Sequence, residues 1–226
     1  MTVKAVLIDI DNTILDFTKS ADMAIKICSE RAGLDLPENY LEVFLAVNDR
    51  LWGLLEQRKI EKQDIYDRRW TEIFSILKID EDGKKFEDDF RSTIRDIAIP
   101  VDGAEEILRY LSSKYPVYCA SNASRERQKH RLSLNGFDKF ISGLFISEDI
   151  GYQKPAREFF DACISALAPL KKEELVMIGD SVSADIKGAE NAGIQSIWFN
   201  IKGESPEKYG PPPVYVNKLS EIKEIL

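Results

Sequence analysis

Two carboxylates stand two residues apart where the first apolar run of the chain ends: Asp9 and Asp11 in DIDNT, after Val3 to Ile8. Like charges at that spacing repel. Either water dissipates the pair in a turn, or a cation and an anionic ligand make use of it. Three more polar sets follow apolar runs further along. Ser121-Asn122 follows Val117 to Ala120, and Lys154 lies in SEDIGYQKP after Ile141 to Ile146. Asp180, in GDSVSAD, follows Leu175 to Ile178, with Asp185 five residues on. Singly, each is an ordinary turn or surface residue. Together they have a chemistry. Asp9, Asp11 and Asp180 offer hard oxygen ligands suited to magnesium. Ser121 can donate to a phosphate oxygen and Lys154 can balance its charge. One carboxylate can then attack phosphorus while another moves the proton. Uncatalysed hydrolysis of phosphate monoesters is so slow that enhancements reach on the order of 10²¹-fold. A cation, an ammonium and oriented donors acting together are the electrostatic clamp this requires.

For the four sets to meet, the apolar runs must be neighbouring parallel strands, because ligands bind beyond the carboxyl ends of such strands. The pattern supplies them. Five short runs, the fifth being Ile194 to Phe199, alternate with helical segments, which predicts an α/β fold with a parallel sheet covered on both faces. Ser124 is a plausible N-cap after the second strand, Pro155 starts the helix after the third, and Gly193 ends the helix after the fourth. Between the first strand and Pro100 the period is helical throughout. Ala21, Ala24, Ile25 and Cys28 form one stripe, Tyr40, Phe44, Val47, Leu51, Leu54 and Leu55 a second, and Ile65, Tyr66, Trp70, Ile73, Phe74 and Leu77 a third. Phe86, Phe90, Ile94 and Ile97 form a fourth. This predicts an all-α cap at 16–100 inserted in a catalytic core of 1–15 and 101–226. Pro211-Pro212-Pro213 reads as a rigid loop before a last short helix.

Composition narrows the partners. The 226 residues suffice for a large core, and 44% hydrophobic with 31% charged residues is ordinary for a folded protein. No apolar stretch has the length of a membrane span and no leader pattern opens the chain, so the expectation is a soluble, cytoplasmic protein. A net charge of -8 disfavours a nucleic-acid polymer but not one small phosphorylated ligand. Cys28, Cys119 and Cys163 are scattered and read as small core residues, not a zinc site or disulfide framework. The single histidine, His130, reads as an exposed helix residue, which leaves acid–base chemistry to carboxylates.

The order DIDNT, SN, QKP and GDSVSAD resembles the haloacid dehalogenase superfamily in its phosphatase branch, over essentially the whole chain. That resemblance implies a Rossmann-like core and Mg2+ as cofactor. It makes Asp9 the nucleophile and a metal ligand, and Asp11 the general acid/base with its backbone carbonyl on the metal. Thr13 supports the first loop and counts among the phosphate-binding residues, Ser121 and the Asn122 amide hold phosphate, Lys154 neutralises it, Asp180 binds metal, and Asp185 orients the metal or its water. Many members have Gly where this chain has Ala123, which narrows the space there. The cap stretch NDRLWGLLEQRKI with Arg69-Trp70 is similar to that of pyrimidine 5′-nucleotidase-like phosphatases, through Asn48, Leu51-Trp52, Glu56, Ile60 and Arg69-Trp70. It implies a nucleoside 5′-monophosphate substrate, with Asn48, Trp52 and Arg69 as candidate specificity residues. Tyr66, Trp70 and Phe74 follow helical spacing and read first as cap core.

Alternative substrates within the same resemblance are sugar phosphates and phosphoglycolate, and a phosphosugar mutase keeps all four motifs. A phosphoacceptor signalling module shares the site chemistry, but its acceptor follows a middle strand and it carries no large insertion. A haloacid dehalogenase lacks the second aspartate of the first motif, and Asp11 argues against that reading.

Overall fold

The computed structural model describes residues 2–209 and 214–226; the triple-proline loop lies outside them. The strands are β1 (Ala5–Ile8), β2 (Val117–Ser121), β3 (Gly143–Ile146), β4 (Leu175–Gly179), β5 (Gln195–Phe199) and β6 (Tyr215–Val216), in the spatial order β3-β2-β1-β4-β5-β6. Every adjacent pair is parallel. The apolar runs form strands because both faces of this Rossmann-like sheet are covered. Along β1 the side chains alternate. Val6 and Ile8 pack with Ile107, Leu108 and Leu111 of one helix, and Ala5 and Leu7 pack with Phe159, Phe160 and Cys163 of another. The sixth strand was not expected from the sequence. It pairs Trp198 with Tyr215 and Phe199 with Val216, and two residues carry no readable period.

The helices in chain order are α1 (Phe17–Ala32), α2 (Tyr40–Glu56), α3 (Lys62–Leu77), α4 (Gly83–Arg95), α5 (Ala104–Lys114), α6 (Arg125–Leu134), α7 (Ser147–Ile150), α8 (Arg157–Ala166) and α9 (Gly188–Ala192). Ahead of α9, Val182–Lys187 forms a wide π-helical turn, a conformation frequent at functional sites. The loop expected in SEDIGYQKP contains the single turn α7, and α8 begins two residues after Pro155 instead of at it.

The chain forms two compact units. One runs up to Phe17 and resumes at Ala98, and it holds the sheet; the other is Thr18–Ile97. The second unit is entirely helical. Its core is aromatic, with Trp70 against Phe44, Phe74, Phe86 and Phe90 at ring-centroid distances of 4.3–5.7 Å. Its last helix, α4, starts at Asp82, whose side chain accepts from the amides of Lys84 and Lys85. No helix of the described residues is long and apolar enough to cross a membrane.

Candidate active site

Strand register brings the polar sets level. Ile8 pairs with Cys119 on one side and Ile178 on the other. The residues just beyond, Asp9, Ser121 and Asp180, therefore leave the same edge of the sheet. The loop carrying Lys154 joins them through Asn122. Its Nδ2 donates to the Lys154 carbonyl at 2.9 Å, and its Oδ1 accepts from the Lys154 amide at 2.8 Å. Sequence analysis gave Asn122 a phosphate contact through its amide; the side chain has this further task of holding the lysine loop.

Lys154 is buried and spends all three ammonium protons. It donates to Asp9 Oδ1 at 2.7 Å, Asp185 Oδ1 at 2.6 Å and the Ala120 carbonyl at 2.7 Å. Burial opposes its charge, but the two carboxylates outweigh this and raise its pKa, so it is a permanent cation. The charge of Asp9, by contrast, is disfavoured. Burial first, with the charges of Asp185 and Asp11, pushes its carboxyl up to about 7 against the pull of Lys154. Asp180 is likewise raised well above the usual range, by burial and then by Asp9 and Asp185.

Asp185 sits in the π-helical turn. Ser181 caps that turn by accepting from the Ala184 amide at 3.1 Å, and its own amide donates to Asp185 Oδ2 at 3.1 Å. Gly179 allows this packing: a Cβ there would stand 2.2 Å from Asp185 Oδ2. The indole of Trp198 fixes the Asp180 backbone by donating to its carbonyl at 2.9 Å.

Carboxylate oxygens of Asp9, Asp180 and Asp185 lie within 4.8 Å of one another. Lys154 pairs with Asp9 and Asp185 in this cluster, and the charge of Lys202 pulls on Asp180. An all-oxygen, acidic set fits a hard divalent cation such as Mg2+. The expectation from sequence placed Asp185 behind the metal; here its carboxylate stands in the cluster with those of Asp9 and Asp180. Asp11 was expected to reach a metal through its backbone carbonyl, and its carboxylate lies outside the cluster.

The Asp11 carboxylate faces α6 instead. It accepts from Arg131 Nη1 at 2.5 Å and from Gln128 Nε2 at 2.8 Å. Desolvation alone would raise its pKa; the charges of Arg131 and Arg127 and these hydrogen bonds outweigh that and hold it below the usual range. Neither Gln128 nor Arg131 was picked out from the sequence. Thr13, expected at the phosphate, is fully buried, and its hydroxyl has no hydrogen-bond partner. His130 is half-buried, not exposed. All three cysteines are free and buried; burial first, then Asp9, raises the Cys119 thiol, which rules it out as a thiolate nucleophile.

The candidate specificity residues belong to the helical unit, and two of them are interior. Arg69 donates to Glu87 through Nε at 3.1 Å and Nη2 at 2.6 Å, and to Asn48 Oδ1 through Nη1 at 2.8 Å. Its guanidinium also lies over the rings of Phe44 and Phe90. The spacing of Asn48 and Arg69 thus reflects an internal ion-pair network more directly than ligand recognition. Trp52 is half-buried. Truncating one member of a buried pair strands the other charge. Arg69→Met is therefore expected to lower stability by about 3–5 kcal/mol. Arg69→Met with Glu87→Leu should recover most of that loss in denaturant unfolding.

A parallel sheet with an acidic, cation-compatible cluster beyond its central strands places the protein among Rossmann-like α/β enzymes. A sequence profile of haloacid dehalogenase-like hydrolases matches residues 3–193, and the chain belongs to that family. Over 225 residues it is 29% identical to the HAD-hydrolase YfnB of Bacillus subtilis, covering 99% of this chain and 95% of that one. A magnesium-bound crystal structure of YfnB superposes with a TM-score of 0.92 at 28% identity, over 99% and 98% of the two chains. The pyrimidine 5′-nucleotidase PynA of Streptococcus pneumoniae is 33% identical over 201 residues, 88% of this chain and 85% of its own. The pyrimidine 5′-nucleotidase YjjG of Escherichia coli is 27% identical over 184 residues, 81% and 80% of the two chains. The protein is thus an enzyme, a hydrolase, and members of its family typically use Mg2+.

Proposed function

We propose that the protein is a magnesium-dependent phosphomonoesterase that works through an aspartyl-phosphate on Asp9, with nucleoside 5′-monophosphates as its substrates. The observation that carries this reading is the state of Asp9. Lys154 holds its Oδ1, while among the described residues its Oδ2 has no hydrogen-bond partner and is left as the attacking atom. Asp9, Asp180 and Asp185 would hold Mg2+, which when bound offsets the negative charge of the cluster and of the phosphoryl group.

Asp9 Oδ2 attacks phosphorus, and the ester P–O bond breaks with its electron pair going to the leaving oxygen. That oxygen takes a proton from Asp11. Water then attacks the phosphoryl group, gives its proton back to Asp11, and inorganic phosphate leaves Asp9 as a free carboxylate. Ser121 and the Asn122 amide hold the phosphoryl oxygens, and Lys154 keeps Asp9 oriented. As found here, Asp11 is ionised and bound to Arg131. That is the base form required by the water step, and giving up a proton to the leaving group requires Asp11 to take one and swing from Arg131.

The substrate class rests on likeness to PynA and YjjG, both pyrimidine 5′-nucleotidases. The inserted helical unit, taken as a cap, would select the ester, with Trp52 its most accessible candidate. The test is phosphate release, with Mg2+, from purine and pyrimidine nucleoside monophosphates, sugar phosphates and phosphoglycolate. The expected result is preference for a pyrimidine nucleotide. Faster turnover of a sugar phosphate or phosphoglycolate overturns the nucleotidase assignment, and no release from any ester overturns the phosphatase reading.

A further inference from the structure

Helix α6 is strongly polar in sequence, RERQKHRLSL, yet two of its polar side chains are fully buried. Gln128 and Arg131 are three residues apart and share one helix face. Arg131 Nη1 donates to Gln128 Oε1 at 3.2 Å. A guanidinium can only donate, so this contact fixes which end of the amide is oxygen. The Gln128 Nε2 group must then point away from Arg131 with both of its protons. One goes to Asp11 Oδ2 at 2.8 Å and the other to Ser121 Oγ at 2.9 Å. The Ala123 amide also donates to Ser121 Oγ, at 3.2 Å.

The consequence falls on Ser121. A hydroxyl has two acceptor lone pairs and one proton. Both lone pairs are taken, by Gln128 and by Ala123. Among the described residues the hydroxyl proton is left without an acceptor, in a side chain that is otherwise buried. A serine is normally free to accept or donate, and a phosphate oxygen gains only from a donor. We propose that Gln128, with its amide direction set by Arg131, is a positioning residue that makes the Ser121 hydroxyl an obligate donor to the phosphoryl group and ties it to Asp11. This deepens the phosphatase reading and rests on it.

The test is a double-mutant cycle on inorganic phosphate binding, measured by calorimetry in the presence of Mg2+. Gln128→Leu removes the donor and frees Ser121 to rotate. It should weaken phosphate binding roughly 10- to 100-fold, the scale of one hydrogen bond to a charged group. In a Ser121→Ala background the same substitution should change the affinity less than about 2-fold, because the residue through which it acts is gone. Gln128→Glu, nearly isosteric, can only accept and would take the Ser121 proton for itself. Its effect should be larger in the wild-type background than in Ser121→Ala, and this arm decides the matter if Gln128→Leu does not fold. Equal losses in both backgrounds, or no loss at all, overturn the proposal. A wild-type protein that neither binds phosphate nor releases it from any ester overturns the phosphatase reading instead. A merely structural role for Gln128 would lower melting temperature without producing the coupling to Ser121.

Discussion

Asp9→Asn is expected to abolish phosphate release from every ester while leaving the fold intact. Removing a nucleophile from a catalytic unit costs on the order of 10⁶-fold in turnover where other enzymes have been dissected; a loss of at least about 10⁴-fold is the threshold that supports the assignment here. The amide keeps the shape of the carboxylate but offers no anionic oxygen to phosphorus. Stability should not fall with activity. Burial pushes the Asp9 carboxyl up to about 7, so above that pH the native protein holds a charge it disfavours. Replacing it with a neutral amide removes that cost. Lys154 loses one partner but keeps Asp185 and the Ala120 carbonyl. The expected signature is an inactive protein whose melting temperature at about pH 8 equals or exceeds that of the wild type. Residual turnover above about one per cent would remove Asp9 from the nucleophile's role, and a large drop in melting temperature would show the variant to be uninformative about chemistry.

The core of the site was readable because its geometry follows from two simple rules. Apolar runs became parallel strands, and residues just past such strands share one edge. Asp9, Ser121 and Asp180 needed no more than that. Lys154 and Asp185 lie further from their strands, in the loop between α7 and α8 and in a π-helical turn, and their order in the motif carried what the pattern could not. Gln128 and Arg131 were invisible for a physical reason: on an isolated helix, polar residues read as a solvated face, and only the tertiary fold reveals that these two are buried against Asp11. Asn48 and Arg69 show the same effect in the helical unit. Their spacing is met by a mutual hydrogen bond and by Glu87, a partner on another helix that reads in sequence as one more acid of a solvated face. Strand β6 escaped because two residues have no period.

Removing divalent cations should reduce turnover by roughly 10³-fold or more, the scale of several kcal/mol of charge stabilisation, and adding Mg2+ should restore it. A readout independent of turnover follows from the same cluster. In the metal-free protein, Asp9 titrates near 7 and Asp180 well above its ordinary value, so between the unfolded carboxylate range and these values the native state binds more protons than the unfolded chain. By linkage, stability then falls as pH rises through that window. For Asp9 the window runs from about 4 to about 7, and the loss is complete above it. A cation that binds the native cluster replaces those protons and stabilises the fold by mass action. At about pH 5.5 it must displace protons first, so its effect on melting temperature should be small there and clearly larger at about pH 8. Scanning the melting temperature with Mg2+ and with chelator at the two pH values checks this directly. An equal shift at both, or turnover that survives chelation, would show that Asp9, Asp180 and Asp185 do not act together as the cation site and would separate the acidic cluster from the chemistry at Asp9.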